Sequence, residues 1–121
     1  MPTKRTILVV DDQLLVRFVM ADMLAENGFD VIQAGDAGKA LSLIDGLPDL
    51  AAVVSDIEMP GAVDGTQLAR TIRRAWPDLP VVIVSGRHES PPDLPDGIPF
   101  LEKPVSERLL VALLRQMTQK A

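Results

Sequence analysis

Five polar side chains stand directly behind short apolar runs. Asp11 and Asp12 follow Ile7-Leu8-Val9-Val10, Asp56 closes the run that starts at Ala51, Ser85 follows Val81-Val82-Ile83-Val84, and Lys103 comes just after a fourth run. Singly, each has an ordinary explanation: an Asp caps the next helix, a Ser opens a turn, a Lys is solvated. Together they describe different chemistry. Three carboxylates brought to one place repel one another and require a compensating cation. Oxygen donors without His or Cys suit Mg²⁺, which keeps several waters and binds through one or two carboxylates plus a phosphate. A Lys ammonium and a Ser hydroxyl aimed at the same place hold the other oxygens of a phosphoryl group. A carboxylate can also attack phosphorus, giving an acyl phosphate.

The elements that must position these groups are legible as periodicity. Runs apolar at every position and rich in β-branched residues read as strands buried on both faces. Segments with helical spacing separate them, and this alternation points to βαβ units and a parallel sheet. The spacing predicts β1 over 6–11, α1 over 13–27, β2 over 30–34, α2 over 36–46, β3 over 51–56, α3 over 65–75, β4 over 80–85, β5 over 98–101 and α4 over 105–118. Gly28 and Pro77 are stop signals for α1 and α3. Pro91, Pro92, Pro95 and Pro99 resist a helix between β4 and β5, so a loop or a single turn is expected there. In an open parallel sheet ligands bind at the carboxyl ends of the strands, where the five polar residues fall.

Composition narrows the function classes. A chain of 121 residues holds one domain, and 47% apolar with 24% charged residues is the balance of a folding chain. The expectation is a single domain over 1–121 with no second module. Seventeen acidic against twelve basic residues give a net charge of −5, which repels a phosphate backbone and argues against nucleic acid. Without cysteine there is no disulfide, thiol nucleophile or Cys-bound metal. No run approaches the roughly 18 apolar residues of a membrane span, and no signal peptide is recognisable, so a cytoplasmic protein without membrane attachment is expected.

In this order, ILVVDD, VVSDIEMPG, VVIVSG and FLEKP resemble the receiver domain of two-component response regulators, from about Ile7 to Met117. The resemblance implies a flavodoxin-like, doubly wound sheet of order 2-1-3-4-5. It implies that Asp56 takes a phosphoryl group from the phosphohistidine of a histidine kinase or a histidine phosphotransfer protein. Asp11, Asp12, Asp56 and the backbone carbonyl of Glu58 would hold Mg²⁺, and Lys103 would pair with phosphoryl oxygens. Ser85 and Phe100 would form the switch pair, with Phe100 supplying packing but no hydroxyl, and Lys103–Pro104 would be a cis peptide. Such a chain is a signalling switch and not an enzyme with an external substrate. It would act on an unknown downstream protein, or as a phosphorelay intermediate or sink, as a monomer or weak dimer.

Two departures bear on output. Gly61-Ala62-Val63-Asp64 makes the loop after Pro60 one residue longer than usual in the family, and the segment from Ser85 to Phe100 is about four residues shorter. The helix usually found between β4 and β5 is therefore expected to be reduced to a turn or missing, although many receivers signal through the face it helps to form. Attention moves to α1. At about 100° per residue, Val16, Val19, Met20, Met23 and Leu24 form an arc for the sheet, while Leu14, Phe18, Ala21 and Ala25 form a second apolar arc. That outer arc is a candidate docking surface centred on Leu14 and Phe18, joined by Pro104.

Weaker signals are Arg87, a loop arginine near Ser85, and His88, the only histidine. Arg70, Arg73 and Arg74 read as a solvated face of α3, and Trp76 as packing remote from the pocket. Two rival functions remain. A phosphohydrolase with Asp11 as nucleophile would need a second acid where Gln13 stands. A receiver-like adaptor would bind its partner through α1 without being phosphorylated.

Overall fold

The computed structural model describes residues 5–59, 63–86 and 90–119. Its elements are β1 (Thr6–Val10), α1 (Leu14–Glu26), β2 (Asp30–Ala34), α2 (Ala37–Asp45), β3 (Ala52–Asp56), α3 (Gly65–Ala75), β4 (Val81–Ser85), β5 (Phe100–Glu102) and α4 (Glu107–Thr118). All strand pairs are parallel, in the order β2-β1-β3-β4-β5. The chain leaves β1 toward β2 and then returns past it to β3, so the strand order reverses between β1 and β3, which opens a crevice at their carboxyl ends.

Alternation of side chains along the strands divides the core in two. Leu8, Val10, Val53, Val81 and Ile83 face α2 and α3, meeting Ala40, Ile44, Leu68 and Ile72. Ile7, Val9, Val54, Val82 and Val84 face α1 and α4, meeting Leu24, Leu110 and Leu114. Every residue of β3 and β4 is buried, because these central strands are covered on both faces.

Helix starts follow local hydrogen-bond chemistry. Asp36 caps α2 by accepting from the Lys39 N–H at 2.7 Å, and Ser106 caps α4 by accepting from the Leu109 N–H at 3.2 Å. Asp64 and Gln67 form a reciprocal capping box on α3, each hydrogen bond 2.9 Å long. These caps place the starts of α2 and α4 at Ala37 and Glu107, one and two residues later than the periodicity predicts. Helix α1 ends against Gly28, whose φ of 92° suits glycine.

Among the described residues between β4 and β5 there is no helix, as the proline spacing predicts. β5 lies later than the predicted 98–101. Pro99 has no N–H for the ladder, although its carbonyl accepts from the Ile83 N–H at 2.9 Å, and pairing runs from Phe100 to Glu102. Segment 90–99 is fastened to α3: the Arg70 guanidinium lies 3.8 Å from the Asp93 carboxylate, and Arg73 Nη1 donates to the Asp96 carbonyl at 2.9 Å. Arg70 and Arg73 thus do more than solvate a face. Trp76 packs on the α2–α3 side of the core, as expected.

Gly65 opens α3 directly beneath the end of β3. Its N–H donates to the Ile57 carbonyl at 2.8 Å. A Cβ at this position would overlap the Asp56 carbonyl oxygen and stand 2.6 Å from Ile57 Cα, both backbone atoms that cannot swing away. We therefore expect Gly65→Ala to cost about 1–3 kcal/mol in urea melts, the usual range for overpacking. Gly46→Ala, whose added methyl meets nothing closer than 3.8 Å, is the control. A Gly65→Ala midpoint equal to that of Gly46→Ala would refute the close-contact account.

Candidate functional site

Strand register brings the acids together. Val10 is paired with Ser55, so the next residues, Asp11 and Asp56, leave adjacent strands side by side. Ser85 is paired with Glu102, and the Lys103 N–H donates to the Ser85 carbonyl at 2.7 Å, which returns the lysine to the same edge. Asp11, Asp12 and Asp56 each offer a carboxylate oxygen, and these oxygens lie within 4.8 Å of one another. Lys103 Nζ sits 3.4 Å from Asp11 Oδ2 and 3.3 Å from Asp56 Oδ1. The side chains of Asp11 and Asp56 are only 5% and 8% exposed, against 26% for Lys103, so the ammonium bridges two carboxylates from the solvent side.

Each group has a local reason for its place. Asp11 Oδ1 accepts from the Gln13 N–H at 2.9 Å, satisfying backbone at the start of α1, where Gln13 offers no side-chain cap. Asp11 thus closes a turn that leads into α1 without capping the helix, and this leaves Oδ2 for Lys103. Ser85 is fully buried at the end of β4. Phe100 is half-buried against the α2–α3 side of the core. Glu58 is exposed, and its backbone N–H bonds to Asp56. The Lys103–Pro104 peptide is cis, with Pro104 exposed. Arg87 and His88, with Pro60, Gly61 and Ala62 of the loop after β3, lie outside the described residues.

The donor set fits a hard divalent cation. It is made only of carboxylate oxygens, one of them on exposed Asp12, so water and a phosphate oxygen can complete the shell. Arg17 is a site neighbour that periodicity does not reveal. Its Nη1 donates to the Asp11 carbonyl at 2.9 Å and its Nε to Gln33 Oε1 at 3.0 Å.

The two arcs of α1 need correction. Ala21 and Leu24 are buried and Met20 and Met23 partly so, while Val19 is exposed. Val19 therefore belongs to the outer face and Ala21 to the inner one, because the helix turns its small residue to the sheet. The outer face consists of Leu14, Leu15, Phe18 and Val19, each more than half exposed. It begins two residues after Asp12.

Burial raises the Asp56 pKa above its ordinary value of 3.8; Lys103 opposes the shift, the Asp11 charge adds to it, and the hydrogen bonds from Lys103 and Glu58 oppose it. A carboxyl raised in the folded state stabilises the fold below its unfolded pKa, and that contribution is lost as pH rises through the folded value. At neutral pH the ionised carboxylate is then a net burden on the metal-free fold. Asp56→Asn should melt higher than the wild type at pH 7 without metal, by roughly 4 °C for each kcal/mol recovered. The difference should shrink as pH falls toward 4, and Mg²⁺ should narrow it by stabilising the wild type. An Asn variant that melts at or below the wild type at pH 7 would contradict this balance.

Comparison with known proteins agrees with the fold. The model for the response regulator receiver domain matches residues 7–115. The transcriptional regulatory protein FixJ of Bradyrhizobium diazoefficiens is 31% identical over 100% of this chain, which covers 60% of FixJ. The sensor kinase CckA of Brucella abortus is 34% identical over 95% of this chain, which spans only 13% of that protein. A response regulator receiver protein from Pseudomonas putida superposes with a TM-score of 0.86 at 26% identity, over 96% of this chain and 99% of that one. Among the described residues no helix is long and apolar enough to cross a membrane. With its sheet order, its acidic crevice and a family match over nearly its whole length, the chain belongs to the response regulator receiver domain family of two-component systems.

Proposed function

We propose that this receiver domain accepts a phosphoryl group on Asp56 from a phosphohistidine, carried by a histidine kinase or a histidine phosphotransfer protein. The observation that carries the reading is the contact of one ammonium, that of Lys103, with both Asp11 and Asp56 at the mouth of the β1/β3 crevice. Asp56 is the acid that closes β3, and its Oδ1 faces Lys103.

In the transfer, an Asp56 carboxylate oxygen forms a P–O bond while the P–N bond of the phosphohistidine breaks, its electron pair staying on the imidazole nitrogen. Lys103 holds phosphoryl oxygens in place of one of its present carboxylate contacts. Asp11, Asp12, Asp56 and the Glu58 backbone carbonyl would hold Mg²⁺, which when bound offsets the charge of the carboxylates and of the arriving phosphate. Ser85 reaches the phosphoryl group from the end of β4, and Phe100 follows by repacking. We read the protein as a cytoplasmic switch, with no separate substrate on which it acts as an enzyme. Its downstream contact would be with another protein or the next carrier of a relay, not with nucleic acid or membrane.

The phosphodonor protein would dock across Leu14, Phe18 and Pro104, because the α1 patch starts beside Asp12 and stays exposed in the folded chain. Leu15 and Val19 extend this surface.

Incubation with acetyl phosphate and Mg²⁺ should add about 80 Da to the intact mass, one phosphoryl group in acyl linkage. The gain should be absent in Asp56→Asn and in chelator. A folded protein that gains no mass would favour the adaptor function. Phe18→Asp should leave stability within about 0.5 kcal/mol, as for an exposed position, and should leave acetyl phosphate labelling unchanged. Transfer from a phosphorylated histidine phosphotransfer protein should slow at least tenfold, and equal rates for the two chains would remove α1 from the docking surface.

A further inference from the structure

We infer that Arg17 is a positioning residue for the acidic pocket, fixing the backbone that carries Asp11 and Asp12; this rests on the reading of that pocket as the Mg²⁺ and phosphoryl site. The guanidinium reaches two elements at once. Nη1 donates to the Asp11 carbonyl at 2.9 Å, and Nε donates to Gln33 Oε1 on β2 at 3.0 Å. It lies against Gly35, where a Cβ would stand 3.2 Å from Nη1, so the absence of a side chain there makes room for the fork.

The consequence concerns Asp12 most. Asp11 is held at its N–H by the Ala34 carbonyl at 3.1 Å, at its carbonyl by Arg17, at Oδ1 by the Gln13 N–H and at Oδ2 by Lys103. Asp12 is exposed, and its carboxylate has no hydrogen-bond partner among the described residues. Its place depends on the peptide that joins it to Asp11, whose carbonyl Arg17 grips. Arg17 itself is held by the first turn of α1, where its N–H donates to the Gln13 carbonyl at 2.9 Å. A planar fork with two fixed directions can satisfy a loop carbonyl and a strand side chain together, which a Lys ammonium on a flexible stem cannot reproduce.

The test uses the whole chain and Mg²⁺ alone as probe, by titration calorimetry, on Arg17→Lys, Arg17→Gln and Gln33→Ala. Both Arg17 variants should lose roughly tenfold in Mg²⁺ affinity, the usual effect of removing an outer-shell partner, and Gln33→Ala should lose less. In the metal-free protein, amide exchange at Gln13 should accelerate in the Arg17 variants while amides of β3 and β4 keep their protection. Labelling by acetyl phosphate should need about tenfold more Mg²⁺ for half-maximal rate and return to within twofold of wild type at saturation.

Unchanged Mg²⁺ affinity in either Arg17 variant would overturn the inference, since Lys keeping full affinity would mean that charge alone matters. Exchange accelerated across the whole sheet would overturn it too, because Arg17 would then be holding the fold. Wild type that binds Mg²⁺ but gains no mass would defeat the phosphoryl reading and leave Arg17 to be judged by calorimetry. Wild type that does not bind Mg²⁺ would defeat both.

Discussion

Two nearly buried carboxylates share one ammonium at the end of a parallel sheet, and much of the structure exists to hold that arrangement. Like charges at this separation repel, and burial strengthens the repulsion by removing water. Lys103 outweighs the Asp11 repulsion at Asp56 from the solvent side, but burial, which strips water from the carboxylate, still holds its pKa above the ordinary value. The pocket is therefore unsatisfied without further positive charge. The buried apolar residues Ala52 to Val54 of β3 and Val81 to Val84 of β4 supply the burial that offsets the strain.

The same edge is braced through backbone contacts. Gly65 sets the first turn of α3 against the Asp56 carbonyl, so the helix cannot move along its axis without disturbing the residue that carries the carboxylate. Further along, Arg70 and Arg73 tie α3 to residues 90–99, the connection that follows Ser85 and leads into Lys103. α3 therefore touches both the end of β3 and the connection that leads into β5. Residues 90–99 thus lie against α3 through Asp93 and Asp96.

Much of this was legible in the sequence, for a physical reason. Fully buried parallel strands must be apolar throughout, so β1, β3 and β4 announce themselves, and the polar residues that end them mark the crevice. Short, partly exposed β5 carries a weak signal, and its start was set by the missing N–H of Pro99, a detail of pairing and not of hydropathy. Helix α1 misled the periodicity because it is apolar on both sides: Ala21 faces the sheet while Val19, larger and more hydrophobic, faces solvent. Arg17 was invisible because a helical arginine reads as solvated until its acceptors, a carbonyl and a glutamine on another strand, are known.

The proline-rich connection between β4 and β5 has a consequence in the unfolded chain. Residues 90–99 include Pro91, Pro92, Pro95 and Pro99, each with a fixed φ, so the denatured ensemble of this segment is already narrow. A helix would have met its cost of ordering with internal hydrogen bonds. This crossover instead has less entropy to lose and fewer N–H groups to satisfy, and Leu94 and Ile98 still bring it onto the core. Stiffness written into the covalent chain takes the place of secondary structure on that flank.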